Sequence, residues 1–302
     1  MSGIVYQKKH QWCYLMMSIR EEESCMNRFK EQAMKIVFMV AACASVLAVF
    51  LICLFLFANG IPAIAKIGPL KFLLGTVWKP SNDKFGIFPM IIASIYVTGG
   101  AILVGVPIAL FTSVFMARYC PKKIYRPLKS GIELMAGVPS IVYGLFGMLF
   151  FVTACHMSYS LMAGILTVAI MVLPTVLRTT EEALLAVPDS FREGSFGLGA
   201  GKLRTVFRIV LPSAIPGILS GVILSTGRIA GETAALIYTA GTMATLPKNL
   251  LSSGRTLAVH MYVLSQEGLH TDQAFATAVI LLVMVLLINI LSSVIAKKMQ
   301  RD

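Results

Sequence analysis

An arginine and a glutamate four residues apart, Arg228 and Glu232, lie inside the long apolar run Ile209–Ala240. At i and i+4 on a helix they share a face, and ionised groups within such a run point into protein or a watery pathway. An arginine matches an oxyanion because its planar fork donates parallel hydrogen bonds and stays charged at any physiological pH. Glu232 either steadies that fork or accepts a hydrogen bond from a protonated oxyanion. The opposing reading is an internal salt bridge that locks the bundle and touches no solute. Gly227, Gly231, Thr226 and Thr233 keep this face small, which allows close helix approach or local unwinding. At 1.5 Å per residue, Arg228 lies roughly 24 Å along the helix from Pro212, towards the outer half of a span. A second polar set, Ser140 and Tyr143 behind Pro139, either lines the same route or joins packed helices.

The stretch 178–212 carries a different chemistry. Pro188-Asp-Ser190 stops one helix and starts another, and Ser190 with Glu193 has the S-x-x-E spacing of a capping box, with Arg192 between them. Gly197, Gly199 and Gly201 then break the short helix. Gly199 permits the positive φ of a sharp turn before Arg204-Thr-Val-Phe-Arg208 returns the chain to Ile209-Val-Leu-Pro212. A short rigid helix on a tight turn works as a lever. Gly199-Ala-Gly201-Lys202 is not a phosphate-cradling loop, since Phe196 and Leu203 stand where glycine and Ser or Thr are required. Gly197-x-Gly199-x-Gly201 does not match a dinucleotide fingerprint either. No catalytic residue, metal set or cofactor site is assigned to the chain.

The elements that must position these groups follow from composition. With 57% apolar and 13% charged residues and a mean hydropathy of +0.81, the chain has more apolar surface than one soluble core can hide. The expected fold is all-α and polytopic, with six transmembrane helices at Ile36–Phe57, Met90–Met116, Leu134–Phe151, Leu161–Leu177, Ile209–Ala240 and Phe275–Ile295. Basic residues cluster at Lys8–Lys35, Arg118–Lys129, Arg178–Arg208 and Lys297–Arg301, whereas the alternate loops hold only Lys66, Lys71, Lys79, Lys84, Lys248 and Arg255. That bias places both termini in the cytoplasm. The +12 formal charge is a topology signal and implies no nucleic-acid partner. Residues 1–35 read as a disordered cytoplasmic tail without a signal-peptide core, with Met26 an alternative initiator. Residues 36–68 give the first span and the start of an outer loop, and 69–302 the transport domain. The cysteines at 13, 25, 43, 53, 120 and 155 have no CxxC spacing and read as apolar fillers. Trp78 and Phe85 are either interfacial anchors or contacts for an extracytoplasmic protein, and His156 and His260 receive no role.

The spacing Glu193-x5-Gly199-x9-Ile209-x-Leu211-Pro212 resembles the cytoplasmic coupling loop of ABC importer permeases, although the usual Glu-Ala-Ala is Glu193-Gly194-Ser195 here. Those two poorer helix formers cost about 1 kcal/mol of local propensity. Trp78-Lys-Pro80, Phe85-Gly-Ile-Phe-Pro89, Gly105-Val-Pro107, Glu133-Leu-Met-Ala-Gly137-Val-Pro139 and Gly227-Arg228-Ile-Ala-Gly231-Glu232-Thr233 are similar to the phosphate-specific branch of that family over roughly residues 70–295. Trp78 to Gly147 resembles the PstC subunit, and Glu232 to Tyr238 with Gly254 to His260 the PstA subunit; the balance leans slightly to PstC.

The resemblance implies a type I importer permease fold in a bacterial cell membrane. It implies a second permease subunit, a dimer of ATP-binding subunits that holds ATP and Mg, an extracytoplasmic phosphate-binding protein, and phosphate as solute. Arg228, Glu232, Thr233, Ser140 and Tyr143 would lie on the solute path, and Ser190, Arg192, Glu193, Gly199 and Pro212 would couple to the ATPase. Three alternatives stay open, one of them a non-transporting membrane scaffold, for which neutralising Arg228 leaves uptake intact. A permease for another oxyanion is separated by which solute stimulates the ATPase, and a secondary transporter by inverted repeats and ion-gradient drive.

Overall fold

The computed structural model describes the backbone of residues 2–299 and the side chains of residues 31–294 and 298. By its internal contacts the chain forms two units, Met1–Phe55 and Leu56–Asp302. The first belongs to α1 (Ser2–Ile67), whose segment from Glu31 onward is apolar and has none of its most hydrophobic stretch buried within the chain. Such a helix, apolar all round, is suited to lipid. The residues expected to form a disordered tail are the first part of α1, and through residue 30 their side chains lie outside those described.

In the second unit α1 ends at Ile67, and a short α2 (Pro69–Leu74) leads to a two-stranded hairpin, β1 (Trp78–Lys79) with β2 (Lys84–Phe85). Trp78 faces Phe85 across it, and Asp83 takes the turn at φ 51°. Then follow α3 (Phe88–Arg118), α4 (Lys122–Gly137), α5 (Ser140–Gly147) and α6 (Leu161–Leu185). A wider π-helical turn, Met148–Ala154, extends α5. After α6 come α7 (Asp189–Gly197), α8 (Lys202–Thr205), α9 (Leu211–Ala230), α10 (Ala234–Ile237), α11 (Leu257–Glu267) and α12 (Thr271–Met299). Among the described residues, five helices are long and apolar enough to cross a membrane, and α4 with α5 and its extension makes a sixth if that bent pair is one span.

The core sits where α3, α6, α5 and α10 meet. Val97 and Ala101 of α3 pack with Leu161, Val168 and Val172 of α6, and with Ala235 and Leu236 beyond α9. A second cluster closes the end that carries α7: Val114, Leu184, Val187, Val206, Val210 and Ala214. Most of these side chains are Ala or Val, with Leu161, Leu184 and Leu236 filling between them, which lets the backbones approach closely.

Two expected spans differ from the structure for identifiable reasons. Leu134–Phe151 is not one straight helix: the chain bends 98° between α4 and α5. Pro139 has no N–H to give, and Val138 before it is held extended at ψ 129°, as a residue preceding proline must be. Ile209–Ala240 stops at Ala230, because Gly231 and the non-helical Thr233 break it before α10. The fourth span runs to Leu185, longer than its apolar stretch, since its last turns are polar but packed. The first continues past Phe57 through Pro62 to Ile67.

Candidate functional site

Arg228 lies in the last turn of α9 and is exposed, beside the exposed Leu224, while Ser225, Thr226 and Ile229 turn into the core. The helix ends before Glu232, so the two residues do not share a helical face. Glu232 is instead buried at 8% exposure and its Oε1 accepts a hydrogen bond from the Ala235 N–H at 3.1 Å, capping the first turn of α10. Arg228 and Glu232 form no ion pair; among the described residues the ion pairs are Arg178–Glu182 and Arg192–Asp189, both on exposed surface. The internal salt bridge read from the i, i+4 spacing is therefore absent.

Tyr143 reaches this region from α5. The Arg228 guanidinium is near enough for its charge to act on the Tyr143 hydroxyl. That hydroxyl is already committed, donating to the Met135 carbonyl at 2.7 Å across the bend. The same carbonyl accepts the Val138 N–H at 3.2 Å, so both of its acceptor positions are used at the end of α4. The next residue, Gly144, packs backbone to backbone on α10, where a Cβ would stand 2.8 Å from Ala235 Cα. Ser140 opens α5 half-buried, and Thr233 is half-buried with its hydroxyl donating to the Gly231 carbonyl. The bend thus brings Tyr143, distant in sequence, near Arg228 and sets the next residue, Gly144, against the turn that Glu232 caps.

The second site is α7. Its N-cap is Pro188, with no side-chain cap, and Ser190 sits one residue inside the helix, so the expected capping box does not form. Asp189 takes over the first turn, where a carboxylate suits the helix dipole, and binds Arg192 Nη1 at 2.6 Å. Glu193 is exposed. Gly199 has φ 81°, the left-handed turn expected of it, and Pro212 stands at the start of α9. Ser195, which replaces the family's alanine, is 5% exposed and hydrogen-bonds Thr205 at 2.9 Å. That bond clasps α7 to the returning chain and compensates a weak helix former. Arg118 donates to the Leu184 carbonyl and Lys202 lies 4.7 Å over the Tyr119 ring, which ties the loop to the end of α3. Beyond this clasp the loop presents Phe191 of α7 at 52% exposure, Leu198 just after it at 91% and Leu203 of α8 at 67%. A ridge of large apolar side chains next to charged Arg192 and Glu193 is a surface built to be covered.

Sequence reasoning missed a third group. His260 is fully buried, with its ring perpendicular to Trp78 at 4.2 Å and its Nδ1 3.2 Å from Arg255 Nη1. Because arginine can only donate, Nδ1 is the acceptor and the proton sits on Nε2. Burial first, and the Arg255 charge second, lower the His260 pKa to about 3. Trp78 is consequently a packing partner of a buried imidazole. Only the single letters Trp, Arg and His mark this node in the sequence. No group of three or more His, Cys, Asp or Glu that could hold a metal ion occurs among the described residues.

A family profile described as "Binding-protein-dependent transport system inner membrane component" matches residues 105–302. The chain is 32% identical over 284 residues to the "Probable ABC transporter permease protein YqgI" of Bacillus subtilis, covering 86% of this chain and 95% of that one. It is 28% identical to the "Phosphate transport system permease protein PstC" of Mesorhizobium japonicum (77% and 80% covered), and 30% identical to the "Probable phosphate transport system permease protein PstA" of Methanocaldococcus jannaschii (82% and 85%). In fold it resembles a chain of a bacterial alginate ABC transporter in complex with an alginate pentasaccharide-bound periplasmic protein, at TM-score 0.64 and 14% identity over 88% of this chain and 96% of that one. It also resembles a chain of the inward-facing MetNI methionine ABC transporter, at TM-score 0.56 and 20% identity over 71% and 94%. With the broken fifth span, the bent third and the exposed lever helix already in place, these likenesses make the chain a multi-pass membrane subunit of the binding-protein-dependent ABC permease family.

Proposed function

We propose that this chain is a permease subunit that carries inorganic phosphate inward across a bacterial cell membrane. It pairs with a second permease, docks a dimer of ATP-binding subunits through α7, and receives phosphate from an extracytoplasmic binding protein. Both termini and α7 lie on the cytoplasmic side, as the basic clusters favour. ATP and Mg belong to the partner ATPase, and this chain supplies the path and the lever. Relatives named as phosphate permeases of both the PstC and PstA kinds support the solute, and neither kind is singled out.

The observation that carries the reading is Arg228: an exposed cation at the end of a membrane helix with no carboxylate paired to it within the described chain. A charge in that place is costly unless water, a partner or an anionic solute meets it. Phosphate oxygens accept from its fork. Glu232 is held beside the broken helix by its bond to Ala235, and its carboxylate accepts from a protonated phosphate, which sulfate at neutral pH is not. Closure of the ATPase dimer draws the two α7 helices together and turns the bundle about the bend at Pro139 and the break at Gly231.

The experiment is ATP hydrolysis by the assembled complex in vesicles with its binding protein. Phosphate is expected to stimulate hydrolysis and sulfate to leave it at the basal rate. Equal stimulation by sulfate, or none by phosphate, would assign another solute.

A further inference from the structure

Helix α4 has no buried residue, yet it is hydrogen-bonded near both ends, to α6 at its start and to α5 at its finish. Near its start the Tyr125 hydroxyl donates to Glu181 Oε1 at 2.6 Å, and Glu181, in the last turns of α6, is only 4% exposed. Near its end the Met135 carbonyl accepts from the Tyr143 hydroxyl at 2.7 Å. Ten residues, about 15 Å of helix, separate the two attachment points. On one side α6 runs through Ala186–Pro188 directly into α7. On the other, Tyr143 leads to Gly144, which rests on Ala234 and Ala235 beside the Glu232 cap.

We infer that Tyr125 and Tyr143 are positioning residues that make α4 a strut, transmitting the movement of α7 to the solute site at Arg228 and Glu232. The inference rests on the reading of α7 as the ATPase dock. A helix without buried side chains is held weakly by packing, so two short directional bonds set its position. The first involves a desolvated carboxylate and is the stronger. Lys129 Nζ, 3.4 Å from the Tyr125 oxygen, leaves that hydroxyl proton to Glu181. Tyr125 and Ile132 also pack against the cluster of Ala109, Met116, Val176 and Leu177, so the helix stays docked when the hydroxyl is removed. Beside the first attachment a cavity of about 160 Å³, lined by Lys129, Glu133, Arg178 and Glu182, gives α4 room to swing. Movement of α6 therefore pulls α4 through a pin rather than sliding past it.

The test uses the assembled complex in vesicles, with two readouts. One is phosphate uptake per ATP hydrolysed. The other is the nucleotide-dependent change in thiol labelling of Ile141→Cys, an exposed position on α5, in a background with the native cysteines replaced. Tyr125→Phe is expected to keep hydrolysis within about twofold while uptake per ATP falls roughly five- to tenfold, the scale of one lost hydrogen bond. The labelling change should disappear. Glu181→Gln retains an acceptor and should stay near wild type in both readouts, and Glu181→Leu should reproduce Tyr125→Phe. Because the pins act in series, Tyr125→Phe with Tyr143→Phe should be little worse than either alone. If Tyr125→Phe fails to assemble, Glu181→Leu carries the same expectation from the other partner of that bond. An assembled variant with unchanged uptake per ATP and an unchanged labelling response would overturn the strut. The labelling readout needs no solute, so a complex that moves something other than phosphate still decides it.

Discussion

The contact of α5 with α10 gives a quantitative test of how the solute site is held. At Gly144 an added Cβ stands 2.8 Å from Ala235 Cα, with the Ala234 and Ala235 carbonyl oxygens at 3.2 and 3.3 Å. All three neighbours are backbone, so none can rotate aside. Ordinary contact begins at 3.4 Å, and Gly144→Ala must therefore push α5 and α10 apart by about 0.6 Å. Forcing a methyl into a packed contact of this kind costs about 1–3 kcal/mol. The displaced turn is the one that Glu232 caps, so transport should suffer as well as stability. Gly131, in the middle of α4, has nothing within 4 Å of its ideal Cβ and provides the same substitution without the clash. Gly131→Ala should be neutral or stabilising by up to about 1 kcal/mol. The assay is the thermal midpoint of the purified complex alongside ATP-driven uptake. If Gly144→Ala matches Gly131→Ala in both, the α5–α10 contact does not hold the site.

Three further outcomes follow from the loop and from the buried imidazole. Ser195→Ala should lower the thermal midpoint modestly, by about 1 kcal/mol, because Thr205 retains its bond to the Gly201 carbonyl; Thr205→Val should add little on top in a double-mutant cycle. Leu198→Asp, at a side chain 91% exposed, should leave the chain's fold and its pairing with the second permease intact but weaken ATPase binding, read by co-purification; retained binding would remove Leu198 from the dock. His260, with its pKa depressed to about 3, stays neutral in the folded protein where the unfolded chain takes up a proton near pH 6.5. Its contribution is complete above pH 6.5 and is lost as pH falls towards 3, by at most about 1.4 kcal/mol per pH unit. The thermal midpoint should decline between pH 6.5 and 5, and His260→Asn, which keeps an acceptor for Arg255, should flatten that slope.

Much of this architecture was legible in the residues. Apolar runs located the helices, and the glycines at 197 and 199 with Pro188 bounded the lever helix, because these residues act through local backbone geometry. Gly199 takes its positive φ as expected. What failed was inference across a breaker. Arg228 and Glu232 look like helical neighbours only while the helix continues, and beyond the break at Gly231 the packing of α10 on Gly144 and the Glu232 cap hold the chain in its new course. Pro139 stands inside the expected span Leu134–Phe151, but spacing gives neither the 98° bend nor the Tyr143 bond to Met135 that crosses it. The capping box failed because the helix begins at Asp189 with Pro188 as its N-cap, two residues earlier than a Ser190 cap would start it. Ser195 looked like a lapse from a better helix former and is a buried clasp to Thr205. Long-range partners such as Trp78 with His260 have no periodic signature, so spacing alone does not reveal them.

The central claim, that the unpaired arginine at the end of α9 meets phosphate on its way through, is tested most directly by ATP-dependent uptake of labelled phosphate into vesicles holding the assembled complex. Wild type is compared with Arg228→Ala, and assembly and basal hydrolysis are checked for both. The account predicts wild-type uptake that sulfate does not compete for, and loss of that uptake in Arg228→Ala with the complex intact. Unchanged uptake in the variant would contradict it and leave Arg228 a partner for another protein surface.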